Sequence, residues 1–281
     1  TSQLFTFRMV PLMAADVARA GTDPAQLVAR AGLPVNALTT DVTAPLMRVQ
    51  KFVDDVAALL QKDTYGIDLA LRIPPGAFGV VEFLMRSAPS VEIALSALAQ
   101  SATLVNPLGQ FRFVRADGRG SVHYSVAAER QALGSHLNEY TVALLVDRLS
   151  GALGTRTPLL EVWFPHRRNL AVARAIEAHF GCPVRFGAPD VGFSVDHTVL
   201  ARVPVTSDAA LFAYMQRQAQ NALSSAAGSD VVTQLVRIIE QRLSEGKVDA
   251  DAVARAMATT ARSLQRRLAE AGTTYRRVLA H

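Results

Sequence analysis

The spacing of hydrophobic residues changes twice along this chain, and that change limits the folds open to it. Helices are predicted where apolar side chains recur every three or four residues, at 11–31, 46–61, 77–84, 91–104, 135–150, 169–180 and 207–223. A break at 21–24 is expected to divide the first of these into two short helices, and Ser90 is expected to cap the helix that starts at Val91. Strands are predicted from alternating or short apolar runs at 111–115, 121–126, 159–164, 184–186 and 191–195, the last two flanking a turn at 187–190. The first two flank a turn at 117–120 that begins with Asp117-Gly118, so they are predicted to form a β-hairpin. Strict strand–helix alternation and internal repeats are both missing. Residues 1–223 are therefore predicted to combine helices with a small antiparallel sheet, which is an α+β fold.

Length and composition are those of a globular protein with more than one domain. The chain has 281 residues, of which 50% are hydrophobic and 19% charged, and this excludes an intrinsically disordered chain. Its single cysteine, Cys182, excludes an intramolecular disulfide and a cysteine-based zinc cluster. The sequence has neither a recognisable signal peptide nor an uncharged apolar run long enough for a membrane span. We therefore expect a cytoplasmic protein without a membrane partner.

Motifs of the common enzyme classes do not occur in the sequence. It contains no GxSxG elbow, no P-loop and no GxGxxG, and its six histidines form neither an HxxxH nor an HExxH pair. We therefore expect no catalytic residues, no metal site and no cofactor.

Positive charge is concentrated near the C-terminus. The net charge is +5, and residues 229–281 carry nine basic and six acidic residues, which is more than half of that excess. Five arginines lie between residues 262 and 277, where Glu270 is the single acidic residue. Such a cluster favours an anionic partner such as nucleic acid, although a GC-rich genome also enriches arginine.

A helix-turn-helix is predicted in the last fifty residues. Helices are expected at 230–243, 249–256 and 261–269, with a fourth from Tyr275. Thr260 is expected to cap the third helix, whose Leu264 and Leu268 face inward. The opposite face would then present its polar residues to the major groove, where Arg pairs with guanine and Gln with adenine. The DNA-binding residues predicted here are Thr260, Arg262, Gln265, Arg266, Arg267 and Arg276. From periodicity alone, a solvated charged helix face is an equal alternative.

A domain boundary is predicted just before this motif. Residues 220–229, QNALSSAAGS, contain Ser, Ala and Gly without an aromatic residue, which is typical of a linker or a helix end. The expected domains are residues 1–225 and residues 226–281.

The stretch from Asp251 to Leu279 resembles the first helix-turn-helix of the AraC/XylS family of bacterial transcription regulators. The resemblance rests on Val253-Ala254, on the run RSLQRRL at 262–268 and on Gly272, with mild departures at Ala258 and Thr260. Upstream, residues 79–98, 161–166, 180–187 and 193–204 resemble the effector-binding domain of the arabinose-binding-like subgroup. The resemblance therefore covers nearly the whole chain. It implies operator DNA, a small-molecule effector and a second copy of the chain as partners.

The family's DNA-binding domain has two helix-turn-helix units joined by a linker helix. This chain ends at His281, which would lie early in that helix. We therefore expect a truncated chain, and we expect the 281 residues alone to bind operator DNA weakly or not at all.

The resemblance implies an effector pocket in the first domain without saying which residues line it. The candidates are Phe111, Phe113, His123, Tyr124, Glu139, Tyr140 and Trp163. Core packing is the alternative for each aromatic residue, because aromatic side chains on half-buried strands are usually core residues. The predicted function is transcription regulation, in which a bound effector allosterically controls the helix-turn-helix. The alternatives are a ligand sensor that acts only through protein contacts and, third, an enzyme.

Overall fold

The computed structural model describes residues 4–126, 134–243, 250–257, 259–270 and 272–279. Contacts between Cα atoms divide the chain into two compact units, Thr1–Gln216 and Arg217–His281. The assignment of effector binding to residues 1–225 and of DNA binding to residues 226–281 stays a prediction.

The helices of the first unit follow the predicted pattern with two additions. They are α1 (Val10–Arg19), α2 (Pro24–Arg30), α3 (Leu46–Leu59), α4 (Tyr65–Ala70), α5 (Val80–Ser87), α6 (Val91–Ser101), α7 (Gly134–Leu153), α8 (Leu170–Phe180), α9 (His197–Leu200) and the start of α10 (Ala209–Leu243). The expected break inside 11–31 separates α1 from α2. The Ser90 hydroxyl caps α6 by accepting a hydrogen bond from the Ile93 amide at 3.2 Å, as predicted. The short helices α4 and α9 were not predicted.

The described residues of the first unit form two sheets. A small antiparallel pair joins β1 (Leu4–Phe7) to β2 (Val42–Pro45), neither of which was predicted. The larger sheet consists of β3 (Gly109–Ala116), β4 (Arg119–Val126), β5 (Glu161–Phe164), β6 (Val184–Phe186) and β7 (Val191–Asp196), in the order β3-β4-β7-β5-β6. Only the β5–β6 pair is parallel. The α+β class is confirmed, but β6 and β7, predicted as neighbours, are separated by β5.

The β3–β4 hairpin forms where the sequence predicts it. Its two-residue loop is Asp117-Gly118, and both residues have positive φ, at 50° and 73°. A two-residue loop of this kind matches the twist of the flanking strands when both φ angles are positive, which Asp-Gly adopts easily. The hairpin places Phe111 opposite Tyr124 and Arg112 opposite His123.

The core of the first unit lies against one face of the larger sheet. Val122, Tyr124 and Val126 are buried on this face, whereas Ser121 and His123 are only partly buried on the other. Successive side chains of a strand point to opposite faces, so this alternation fixes which residues can reach an interior cavity.

The second unit consists of the rest of α10, with α11 (Ala250–Ala256), α12 (Ala261–Glu270) and α13 (Tyr275–Leu279). Residues 220–229, predicted as a linker or helix end, instead lie inside α10. The segment contains no proline and a single glycine, Gly228, whose cost of about 1 kcal/mol in a helix is tolerable among alanines. The predicted starting residue of α11, Asp249, and Ala258 of the turn lie outside the described residues.

Candidate functional sites: a helix-turn-helix and an apolar cavity

A compact hydrophobic cluster holds the helices of the second unit together. Its buried members are Leu235, Ile239, Val253, Ala254, Leu264 and Leu268. The inward orientation predicted for Leu264 and Leu268 is confirmed, since both are almost fully buried. Ala254 is also buried, and its small side chain allows α11 and α12 to approach closely.

Backbone and cap hydrogen bonds close the turn between α11 and α12. The Thr259 amide donates to the Ala254 carbonyl at 2.9 Å. The Thr260 hydroxyl accepts from the Ser263 amide at 3.2 Å, which is an N-cap of α12. Thr260 therefore fixes the start of the helix, as the sequence predicts, and its oxygen is already engaged before any DNA is bound.

One face of α12 is polar and exposed. Arg262, Gln265 and Arg266 lie on it, spaced three and four residues apart and opposite Leu264 and Leu268. The Arg266 guanidinium is 3.9 Å from Glu270, but both side chains are exposed, so this ion pair is weak. The side chains are therefore available to base edges in a major groove.

The other two predicted DNA contacts lie on α12 and α13. Arg267 is half-buried on α12, and Arg276 is exposed on α13. The Thr274 hydroxyl caps α13 by accepting from the Arg277 amide at 3.3 Å. Arg267 and Arg276 therefore lie on two different helices of the second unit.

The first unit contains a half-open cavity of about 130 Å³. Its walls come from β1, the two residues between β1 and α1, α5, the end of α6 and the residues after it, α7 and the inner face of β3 and β4, and most lining side chains are aliphatic or aromatic. Three of the predicted effector residues line it, namely Phe111, Tyr124 and Tyr140. The rings of Phe111 and Tyr124 are 4.6 Å apart and form one wall. Apolar cavities with few polar groups are the usual form of a small-molecule site.

One tyrosine hydroxyl in this wall is buried. Tyr140 is 6% exposed, and its hydroxyl makes no hydrogen bond to the described residues. Burial raises the pKa of Tyr140 above its ordinary value, against the opposing charges of Arg148 and Arg8. The hydroxyl therefore stays protonated and can donate a hydrogen bond into the cavity.

Three charged residues complete the polar part of the lining. Arg148 donates from Nη1 to Asp147 at 2.8 Å and from Nη2 to the Ile73 carbonyl at 2.7 Å. Its Nε is buried 3.1 Å from a Glu82 oxygen, without the alignment of a hydrogen bond. Arg8 lies 3.5 Å from Asp41, with its guanidinium 5.6 Å from the Phe78 ring centre.

Glu139 lies away from the cavity, in a buried ionic network. It is fully buried, and it accepts from Arg168 Nε at 2.7 Å and from Arg168 Nη2 at 2.9 Å. His166 Nε2 lies 3.0 Å from the same carboxylate. Burial alone would raise the pKa of Glu139, but the hydrogen bonds from His166 and Arg168 hold it below its ordinary value. Both carboxylate oxygens are thus engaged within the protein.

His123 and Trp163 meet at Asp190 on the opposite face of the sheet. Trp163 Nε1 donates to one Asp190 oxygen at 2.8 Å, and His123 Nδ1 is 3.0 Å from the other. The remaining candidate, Phe113, lies beside Gly120, so close that a Cβ on this glycine would meet its ring. None of these three residues lines the apolar cavity.

Sequence reasoning missed the charged residues of the cavity. Arg148 carried a signal, because it interrupts an apolar helix between Leu145 and Leu149. Glu82 offered a similar one, next to the buried Val81. Arg8 had no such signal in the sequence, because it directly follows β1, which was not predicted.

The described residues contain no group of three His, Cys, Asp or Glu side chains placed to hold a metal ion. Among the same residues, we find no helix with the length and hydrophobicity needed to cross a bilayer.

Comparison with known proteins places the chain in a family. The model of the arabinose-binding domain of AraC transcription regulator, N-terminal, matches residues 21–203. The HTH-type transcriptional regulator VirS of Mycobacterium tuberculosis, in strains CDC 1551 and H37Rv, is 25% identical over 256 residues, which cover 90% of this chain and 74% of VirS. The crystal structure of the transcriptional regulator CdpR from Pseudomonas aeruginosa matches with a TM-score of 0.48 and 20% identity, over 91% of this chain and 80% of that one.

The family match covers well over half of the chain. The chain therefore belongs to the family of AraC transcription regulators with an arabinose-binding N-terminal domain. The resemblance read from the sequence is confirmed.

Proposed function

We propose that this protein is a cytoplasmic, homodimeric transcription regulator in which a small molecule, bound in the cavity of the first unit, controls DNA binding by the helix-turn-helix. Such control requires the effector to bind two states of the protein with different affinity. Catalysis is not part of the proposal.

The exposed face of α12 is the observation that supports DNA reading. Arg262, Gln265 and Arg266 are exposed together, while the inward face of the same helix is anchored by two buried leucines. The Thr260 cap and the hydrogen bond that closes the turn after α11 fix the start of the helix, so the backbone positions of the three side chains are fixed as well. A capped helix with a buried inner face and Arg and Gln outside is the form that major-groove readers take.

Substitution of Arg266 tests this proposal. Binding sites would first be selected from a random duplex library with the full-length protein. Arg266→Ala should then weaken binding to the selected site by about 1–3 kcal/mol, roughly 5- to 150-fold, and relax specificity at one base pair. Arg174→Ala is the matched control, because Arg174 is exposed on α8 in the first unit and its loss removes the same charge. Equal affinities and equal base preferences for the two variants would exclude Arg266 from DNA reading.

The alternative is a sensor whose C-terminal helices only dock on another protein. The exposed arginines are compatible with an acidic protein surface. A protein of that kind would show no selected DNA sequence at all, and the library experiment separates the two functions directly.

A further inference from the structure

We propose that the cavity of the first unit binds a neutral, mainly hydrocarbon molecule whose carbonyl oxygen accepts a hydrogen bond from Tyr140. This inference rests on the proposed function and specifies the chemical class of the effector. It depends neither on which DNA sequence is read nor on the length of the ligand.

The lining of the cavity favours a ligand with a hydrocarbon body. Most of the lining side chains are aliphatic or aromatic, and Phe5, Phe7 and Phe111 are among them. A polar group that leaves water for such a surface needs a hydrogen bond in exchange, so a sugar with several hydroxyl groups is disfavoured. The cavity is half-open, and a chain that exceeds its volume of about 130 Å³ can extend through the open side. The lining therefore selects the chemistry of the ligand rather than its length.

The charges of the lining are compensated within the protein. Among the described residues that line the cavity, the charged ones are Arg8, Glu82 and Arg148. Arg148 Nε is 3.1 Å from Glu82, and Arg148 Nη1 donates to Asp147 at 2.8 Å. Arg8 lies 3.5 Å from Asp41. A charged ligand would lose its hydration here without meeting an unpaired opposite charge, which is strongly unfavourable, so the structure favours a neutral one.

One buried polar group in the wall calls for an acceptor. The Tyr140 hydroxyl is buried and makes no hydrogen bond to the described residues. Burial raises the pKa of Tyr140, so the hydroxyl keeps its proton and can act as a donor. The carboxylate in the wall, Glu82, already accepts from the Gly76 amide at 2.7 Å and from the Phe78 amide at 3.4 Å. Because an unpaired buried donor is unfavourable, a ligand with a neutral acceptor such as a carbonyl oxygen restores the missing hydrogen bond.

Two sets of matched probes test the ligand class. The first set is acetophenone, ethylbenzene and benzoate, and the second is 2-heptanone, heptane and heptanoate. Within each set the molecules are similar in size, and they carry a neutral carbonyl, no polar group or a negative charge. In at least one set the ketone should raise the melting temperature of the protein in a concentration-dependent way, since a ligand of the folded state stabilises it by mass action.

The charged and sugar probes supply the contrast. Calorimetric titration should show the carboxylate of the same set binding about tenfold or more weakly than the ketone, because its charge finds no unpaired partner. L-arabinose should leave the melting temperature unchanged. No shift with either ketone, a shift with L-arabinose, or a carboxylate that binds within about tenfold of its ketone would overturn the inference.

Tyr140→Phe tests the anchor without removing the ring. We expect this variant to fold, because the hydroxyl that it removes has no partner among the described residues. It should bind the ketone about three- to tenfold more weakly than the unchanged protein does, and the hydrocarbon of the same set equally well. A distorted cavity would weaken both ligands, whereas a lost hydrogen bond weakens the ketone alone.

The matched control is Tyr214→Phe, on the exposed part of α10, which should bind both ligands as the unchanged protein does. Melting temperatures without ligand that equal or exceed that of the unchanged protein establish that both variants are folded. Equal ketone affinity of the two variants, or equal weakening of ketone and hydrocarbon by Tyr140→Phe, would contradict the assignment of Tyr140.

The two proposals fail in different ways. If a ketone binds but leaves the affinity for the selected DNA unchanged at saturation, effector control is wrong and the ligand class stands. If the selected DNA is bound and neither ketone binds, the ligand class is wrong and DNA reading stands.

Discussion

Charged side chains have opposite surroundings in the two units. In the first unit, Glu139 is fully buried and bonded to Arg168 and His166. In the second unit, Arg266 keeps 73% of its side chain exposed and has Glu270 as an ion-pair partner at 3.9 Å. The first arrangement satisfies its charges internally, and the second leaves them open to a partner.

This difference predicts which property each substitution changes. Removing one member of a buried ion pair leaves an uncompensated charge and destabilises the fold strongly. An exposed ion pair contributes at most about 1 kcal/mol. Substitutions of the buried charges should therefore lower the free energy of unfolding, and substitutions on the exposed face of α12 should change DNA affinity while leaving stability nearly unchanged.

The largest effect is expected for Glu139→Gln. The neutral amide cannot compensate the positive charge of Arg168. Its NH₂ group would also face the hydrogen-bond donors that the carboxylate now accepts from. The free energy of unfolding should therefore fall by about 3–5 kcal/mol. Chemical denaturation of the protein, followed through the unfolding transition of the first unit, measures this change. Glu270→Gln, the same substitution on the exposed partner of Arg266, should change the free energy of unfolding by less than about 0.5 kcal/mol. Similar losses of unfolding free energy in the two variants would contradict the proposed difference between the units.

Acid should destabilise the first unit through a buried histidine, His136. Burial, helped by the charge of Arg168 and to a lesser degree His166, lowers the pKa of His136 from 6.5 to about 4, against the opposing charges of Glu139 and Asp63. Between these two values the unfolded chain binds a proton that the folded protein does not, so the free energy of unfolding falls as the pH falls from 6.5 towards 4. The loss attributable to His136 is about 3 kcal/mol at most.

His136→Gln removes this contribution. Its unfolding free energy should depend less on pH between 6.5 and 4.5 than that of the unchanged protein. A smaller dependence of the same sign should remain, because burial also lowers the pKa of His179. Denaturation curves at pH 7, 6, 5 and 4.5 measure the slope, and equal slopes for the two proteins would exclude His136 as its source.

A smaller loss is expected where α4 passes α7. A Cβ added at Gly66 would overlap the carbonyl oxygen of His136, so Gly66→Ala must displace backbone and should cost about 1–3 kcal/mol. Gly151→Ala on the exposed side of α7 is the control, because nothing lies within 4 Å of the added Cβ. It should leave stability unchanged or raise it by about 1 kcal/mol through helix propensity. The difference between the two melting temperatures checks both expectations.

Local patterns were enough to predict most elements of the fold. The hairpin follows from alternation and Asp117-Gly118, and the capped helix α12 follows from Thr260 and the spacing of Leu264 and Leu268. The pairing of strands that are far apart in the sequence was not predictable in this way. The order of the larger sheet, with β5 between β6 and β7, depends on contacts that no local pattern encodes.

The cavity shows the same limit at the level of single residues. Alternation along β4 already separates His123 from Tyr124, because neighbours in a strand point to opposite faces. Glu139 and Tyr140 are likewise neighbours on one helix and diverge by about 100°. All four residues were predicted as effector contacts from their residue types. In the structure, Tyr124 and Tyr140 line the cavity and the other member of each pair does not. The charged residues of the cavity lie as far apart in the sequence as Arg8, just after β1, and Arg148 on α7, and only the folded chain brings them together.

The salt dependence of DNA binding tests the central claim, that the exposed arginines of the second unit contact nucleic acid. The affinity of the full-length protein for its selected site would be measured from about 50 to 200 mM salt, together with that of Arg276→Ala. We predict a steep negative slope of log affinity against log salt, and a slope smaller by about one for the variant, because each lost phosphate contact releases about one counterion fewer. A flat slope for the unchanged protein would contradict the account.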